Sequence, residues 1–337
     1  MIERVLQEVV ERRGLTVDEA HSVMSEIMAG ECTASQIAGL LVALRMKGET
    51  AAEIAGFARG MRESCLRVHP KAEGLVDTCG TGGDRLDTFN VSTTAALVAA
   101  GAGVPIAKHG NRAVTSRCGS ADVLRELGLN LELTAEQVGW SIDEVGIGFL
   151  FAPYLHPAMA HALGPRREMG IRTIFNVLGP LTNPAGARRQ VVGVFAAEWA
   201  PRVAAALAEL GVERALVVHG LDGLDELSTL GPSLVCDVDG GTVREYEVTP
   251  EQFGLSRAQP EDIAGADPAT SAQQVVAVLE GEPGPRRDIV LLNAAAAVYV
   301  GGKAGSIEDG LEVAAQSLDS GAARRTLRSM VRFSQGD

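Results

Sequence analysis

The sequence predicts an α/β protein: a small helical domain plus a larger α/β domain with a central, mostly parallel sheet flanked by helices. Three observations carry this. Residues 1 to about 66 show helical periodicity throughout. From Gly74 onward, short apolar runs alternate with helix-forming stretches, the pattern of a parallel sheet covered on both faces. Two of those runs end in glycine-rich segments, which is where open α/β sheets bind their ligands. At 337 residues the chain suits two domains or one large one, with ample length to bury a core.

Taken in order, Ile2, Val5, Leu6, Val9 and Val10 form one face of a first helix. Thr16 or Asp18 can cap a second, running through Met28, and Thr33 or Ser35 a third, through Met46. A fourth spans about Ala51 to Cys65. The irregular stretch from Leu66 to Gly74, broken at His69-Pro70, reads as a hinge. Strands are expected at 75–78, 104–107, 147–150, 190–195 and 214–218. Pro153, Pro157, Pro165, Pro180 and Pro184, with an arginine cluster, interrupt that alternation. Beyond residue 233, Leu234 to Cys236 and Val243 to Val248 read as strands flanking an Asp239-Gly240-Gly241 turn. The tail from Ser271 reads as successive helices, including the apolar run from Asp288 to Val300.

The 43 Asp and Glu against 30 Lys and Arg make the chain acidic, which argues against wholesale nucleic-acid binding. Cys32, Cys65, Cys79, Cys118 and Cys236 are odd in number and lack Cys-x-x-Cys spacing, so they are expected as reduced thiols of a cytoplasmic protein. No stretch is long and apolar enough to span a bilayer, and Met1-Ile-Glu-Arg does not read as a signal peptide.

Residues 77 to 93 combine a strand, a glycine-rich loop and a helix start. Gly80, Gly82 and Gly83 permit positive φ and bring amide N–H groups close to an anion. Asn90, Ser92 and Thr93 fall where a helix has unpaired N–H groups and a positive dipole end. The result is a phosphate cradle, although it matches neither the Walker nor the dinucleotide spacing. A second strand end, Lys108-His109-Gly110-Asn111-Arg112, adds two cations and an amide. Two such sites within about thirty residues suggest one ligand carrying two phosphate groups. Asp222, Asp225 and Glu226 form a carboxylate knot just after a strand. It reads either as an acidic surface loop or as a magnesium site, since hard cations take oxygen ligands.

The runs Asp77 to Asp84, Thr88 to Thr93, Lys108 to Arg112, Gly119 to Asp122, Arg172 to Leu181 and Gly220 to Ser228 stand in one order, and together they resemble the anthranilate phosphoribosyltransferase family. That family shares its fold group with the pyrimidine nucleoside phosphorylases. The resemblance implies transfer of a phosphoribosyl group from phosphoribosyl pyrophosphate to anthranilate in tryptophan biosynthesis. It also implies magnesium, in two ions, and a homodimer joined through the helical domain. That domain is expected at 1–71 and 165–186, and the α/β domain at 72–164 and 187–337.

By the same resemblance the donor contacts are Gly80, Gly83, Asp84, Thr88, Asn90, Val91, Ser92 and Thr93 from the first run. Lys108, His109, Gly110, Asn111, Arg112, Ala113, Val114, Thr115, Ser116 and Ser120 follow from the second, which departs from the family pattern at Ala113, where serine is common. Gly80, Asn111 and Arg166 are the expected acceptor contacts, Arg166 because a guanidinium pairs a carboxylate bidentately. Asp225 and Glu226 are the expected metal ligands, with the Ser92 hydroxyl on a second ion unless it serves only as a helix cap. Lys108 and His109 are the candidates for a catalytic role. Arg167 and Arg172 read more readily as structural or solvent-facing. Pro153, His109 and His156 either line the acceptor slot or, for the histidines, sit satisfied in the structure. His161 lies at the wrong spacing from His156 to share a metal on one helical face.

Overall fold

A computed structural model describes residues 1–83, 86–113 and 117–336. The chain opens with four helices, α1 (Ile2–Val10), α2 (Val17–Met28), α3 (Ala34–Lys47) and α4 (Ala51–Glu63). Their starts are set by the residue types that compete best for unpaired N–H groups. Thr16, Thr33 and Thr50 each accept from the backbone three residues on, while Glu19, Gln36 and Glu53 reach back to the cap. Thr16 rather than Asp18, and Thr33 rather than Ser35, therefore cap the second and third helices. Glu53 is fully buried and satisfied: it accepts from Leu15 N at 3.0 Å and from Lys47 Nζ at 2.9 Å.

The sheet then builds up as β1 (Val76–Gly80), α5 (Val91–Gly101), β2 (Ile106–Gly110), α6 (Ser120–Glu126), α7 (Ala135–Val145) and β3 (Ile147–Phe151). Three helical segments follow: α8 (Ala152–Leu155), α9 (Ala160–Met169) and α10 (Phe175–Leu178). The chain returns to the sheet with β4 (Arg189–Gly193), α11 (Trp199–Glu209), β5 (Arg214–Gly220), β6 (Ser233–Asp239) and β7 (Thr242–Val248). It ends in α12 (Pro268–Leu279), α13 (Pro285–Val300), α14 (Ile307–Asp319) and α15 (Ala322–Gln335). Each expected strand is present within three residues of its expected ends, close to the margin ordinary for boundaries.

The seven strands order as β3-β2-β1-β4-β5-β6-β7, parallel from β3 to β5 and antiparallel through β6 and β7. The chain moves one way from β1 to β3 and the other way from β4 to β5. The topological switch therefore lies between β1 and β4, whose carboxyl ends are Gly80 and Gly193.

One sheet face is covered by α5 and the C-terminal helices, through Leu97, Val98, Ile289, Leu292 and Val298. The other face continues without a break into the helical bundle. Val192, Val194 and Val217 of the sheet share a core with Ile37, Leu40 and Leu44 of α3, with Leu207 of α11, and with Ile174, Phe175 and Leu178. The α9 helix packs on α2 and α3. Among the described residues no helix is long and apolar enough to cross a membrane.

Candidate active site

Asp225 sits on the switch point. A Cβ on Gly193 would fall inside the Asp225 backbone, and one on Gly80 would strike its carboxylate, so both strand ends must be glycine for the β5–β6 loop to lie over them. Asp225 Oδ2 accepts from Gly82 N at 2.7 Å, and Glu226 Oε1 accepts from Ser92 N at 3.1 Å in the first turn of α5. The acidic pair thus does not face solvent as a surface loop. It reaches over 143 and 134 residues of sequence to the glycine loop and to a positive helix end. Burial pushes the Asp225 carboxyl above its ordinary range, opposed by the Gly82 N–H.

Behind the loop lies a buried charge pair. Asp77, fully buried in β1, accepts from His109 N at 3.0 Å and from Asn183 Nδ2 at 2.8 Å. Lys108, 2% exposed, donates to Thr78 O at 2.5 Å and approaches Ser92 Oγ at 3.4 Å. Burial lowers the Lys108 pKa, and the nearby Asp77 charge is the main opposing influence. The strand before the glycine-rich loop and the helix after it therefore stand against one cation.

His109 and His156 pack with ring centroids 5.1 Å apart. His109 Nδ1 lies 3.2 Å from Gly179 O, and only a protonated Nδ1 can donate to that carbonyl. Burial first, then the neighbouring His156, takes the His109 pKa down to about 3, and burial takes His156 to about 4. Both rings are neutral at physiological pH. Their Nε2 atoms are buried without a protein partner among the described residues, which a purely structural histidine would avoid. As a proton-accepting base His109 is poorly matched to neutral pH.

Arg166, on α9, stacks 5.1 Å over the Phe175 ring, and no carboxylate pairs with it among the described residues. Arg167 is exposed. The second loop is held from inside: Asp122 Oδ2 accepts from Ala113 N and Gly119 N at 2.9 and 3.0 Å, and Asn111 O accepts from Ser120 Oγ at 3.2 Å. The Asn111 side chain accepts from Arg112 N at 2.7 Å.

The sequence and the fold match known proteins. Residues 72–324 match the model described as glycosyl transferase family, a/b domain, and residues 3–65 match the helical bundle domain of the same family. The anthranilate phosphoribosyltransferase of Desulforudis audaxviator is 56% identical, over 99% of this chain and 97% of its own. The chain belongs to the anthranilate phosphoribosyltransferase family. The crystal structure of the Thermus thermophilus member superposes with a TM-score of 0.94 at 47% identity, covering 98% of this chain and 99% of that one. The Saccharomyces cerevisiae member in complex with PRPP and Mg gives 0.88 at 28% identity, over 99% of each chain.

Of the residues expected to serve an anthranilate phosphoribosyltransferase, the fold brings Gly80, Ser92, Lys108, Asp225 and Glu226 to the switch point. Gly83 and Asn90 flank it, and Asn90 donates to Cys118 O at 3.1 Å instead of capping α5 with its side chain. Thr88 forms an isolated bridge with Ala264. Val91 and Thr93 are buried, and Val91 N already donates to Phe89 O at 2.7 Å, so burial places neither side chain toward a ligand. Gly110 ends β2 against Ser120 and Phe149, and a side chain there would meet both. Asp84, Val114, Thr115 and Ser116 lie outside the described residues. Sequence reasoning missed Asp77 and Asn183 as the braces of β2, and of its two readings of Arg172, structural or solvent-facing, the structure shows the first. The Arg172 guanidinium reaches Gly83 O and stacks 4.3 Å from the Phe195 ring centroid. Nothing in local pattern marks these three, because each acts on a partner far away in sequence.

Proposed function

We infer that the chain transfers the phosphoribosyl group of 5-phosphoribosyl 1-pyrophosphate to anthranilate, giving N-(5-phosphoribosyl)anthranilate and pyrophosphate in tryptophan biosynthesis. The observation that carries this reading is the Asp225-Glu226 pair laid over two glycine-ended strands at the switch point, with Lys108 behind it. That arrangement places oxygen ligands, loop N–H groups and a cation around one crevice, as a polyphosphate donor requires.

The donor set fits magnesium, since Asp225, Glu226 and Ser92 offer oxygen atoms only and magnesium retains waters and phosphate oxygens for the rest of its shell. Two ions are proposed, one on the acidic pair and one using the Ser92 hydroxyl. Bound magnesium would neutralise charge on the departing pyrophosphate. The chain's own residues hold the donor and fix the acceptor. Lys108 and the loop amides stabilise negative charge on the leaving group, while Gly80, Asn111 and Arg166 orient the acceptor. Arg166 already stands stacked, with no carboxylate on it among the described residues, ready for that of anthranilate. The amine is neutral at physiological pH, so no strong base is needed, and the neutral His109 accepts a hydrogen bond at Nε2 without taking the proton.

Arg166→Ala should raise the acceptor KM or lower kcat by roughly tenfold to a hundredfold, the worth of one charged hydrogen-bonded pair. Unchanged acceptor kinetics would move the carboxylate site elsewhere.

The chain is further proposed to divide into a helical unit, 1–71 with 165–186, and an α/β unit, 72–164 with 187–337. The packing of α9 on α2 and α3 supports this division. Val42, Met46 and Leu163 are exposed on α3 and α9, at 36%, 73% and 51%, and suit a second copy of the chain. Sedimentation should then report twice the chain mass, and Met46→Glu should halve it. The five free thiols suit a cytoplasmic setting.

The deciding experiment is the loss of anthranilate fluorescence on mixing the protein with donor and magnesium, with each omitted in turn. Donor-dependent and magnesium-dependent loss with matching pyrophosphate release supports the reading. No loss from folded protein that binds the donor would instead call for an assay of pyrimidine nucleoside phosphorolysis.

A further inference from the structure

We propose that Arg172 is a positioning residue for the donor loop, fixing Gly83 and, through it, the Gly82–Asp225 contact. This rests on the donor-loop reading above. Arg172 lies between α9 and α10, outside both glycine-rich runs, yet its Nη2 donates to Gly83 O. A Cβ on Gly83, whose φ is +78°, would run into the same guanidinium. Arg172 is held at both its side chain and its main chain. The guanidinium lies 4.3 Å from the Phe195 ring centroid, and the Arg172 carbonyl accepts from Arg45 Nη1 at the end of α3.

Phe195 is itself tied to the loop. Its N–H donates to Thr81 Oγ1 at 3.0 Å, and Thr81 N donates to Gly193 O at 2.9 Å. The loop thus closes a ring of contacts: Thr81 to the end of β4, Phe195 back to Thr81, Arg172 over Phe195, and Arg172 to Gly83. Gly82, with φ +68°, sits inside that ring and presents its N–H to Asp225. Two successive glycines at positive φ have a wide conformational range of their own. The ring is what narrows that range to one in which Asp225 is held over the crevice.

Arg172 touches neither reacting group in this account. It acts on the donor side, while Arg166, six residues earlier and stacked on Phe175, acts on the acceptor side. One short segment therefore carries both adjustments, and the two arginines are separable by kinetics.

The test compares wild type, Arg172→Ala, Arg172→Lys and Phe195→Leu by amide exchange around Gly82 in the ligand-free protein and by kinetics with each substrate varied alone. For Arg172→Ala, faster Gly82 exchange and a donor KM raised about tenfold or more are expected, the loss of a charged hydrogen bond. The acceptor KM should stay within about twofold, the range of substitutions that touch nothing in a site. Arg172→Lys keeps the charge but not the planar stack, so it should fall between the two. Phe195→Leu keeps the guanidinium and removes its platform, and a donor KM rise of about threefold is expected. Wild-type exchange at Gly82 with an unchanged donor KM would overturn the proposal, as would donor and acceptor KM rising in step. If wild type fails to turn over the substrate pair, the functional reading falls, while exchange at Gly82 still decides the role of Arg172.

Discussion

Asp225→Asn combined with Glu226→Gln is expected to lower kcat/KM for the phosphoribosyl donor by about a hundredfold to a thousandfold, the range for removing preorganised charge stabilisation. The isosteric amides can preserve the shape of the loop over Gly80 and Gly193, and one amide oxygen can still accept from Gly82 N. What disappears is the charge that would hold a divalent ion next to pyrophosphate. The magnesium concentration for half-maximal turnover should therefore rise sharply, with little change in acceptor KM at saturating donor. A wild-type magnesium titration in the double variant would remove both residues from the metal site and leave them as caps of Gly82 and the α5 N-terminus. The same titration on wild type, followed by calorimetry, counts the ions.

Acid should destabilise the fold through His109 and His156. An unfolded histidine titrates near 6.5, whereas burial holds these two at about 3 and about 4. Between pH 6.5 and 4 the unfolded chain binds protons that the folded chain refuses, so stability falls as pH falls through that window. Each ring contributes about 3 kcal/mol of loss by pH 4, against a total stability of roughly 5–15 kcal/mol for a typical domain. Asp77 and Asp225 oppose this. Burial raises their carboxyl pKa, so the folded state binds their protons more readily than the unfolded state and gains from acid. The histidine part is isolated by substitution. His109→Asn and His156→Gln should each flatten the fall in denaturant midpoint between pH 7 and 4, even where they lower the midpoint at neutrality. Superimposable pH dependences would assign the acid loss to other groups.

How much was legible beforehand divides along one physical line. Helices announce themselves within three or four residues, through the threonine caps at 16 and 33 and the apolar stripe of α3, because their hydrogen bonds are local. Strand runs and the two glycine-rich loops were equally local, and the Lys108–Arg112 run reported a strand end by composition. The boundary shift at β1 has a plain cause. Cys79 and Gly80 look like loop, yet they pair with Val192 and Gly193 of a strand over a hundred residues on.

Taken alone, the sequence determined that this is a helical unit joined to a mostly parallel α/β sheet, that glycine-rich strand ends carry its polar residues, and that those motifs belong to phosphoribosyl transfer to anthranilate. Only the tertiary structure decided which strands meet at the switch point, and that Asp225 and Glu226 lie over Gly82 and Ser92. It likewise decided that Asp77 braces His109, that Lys108 donates to Thr78 O, and that Arg172 reaches Gly83 O of the glycine-rich loop and is not a surface charge. These are contacts between residues 30 to 143 positions apart. Their partners are chosen by sheet order and by burial of a shared core, and no local periodicity encodes either.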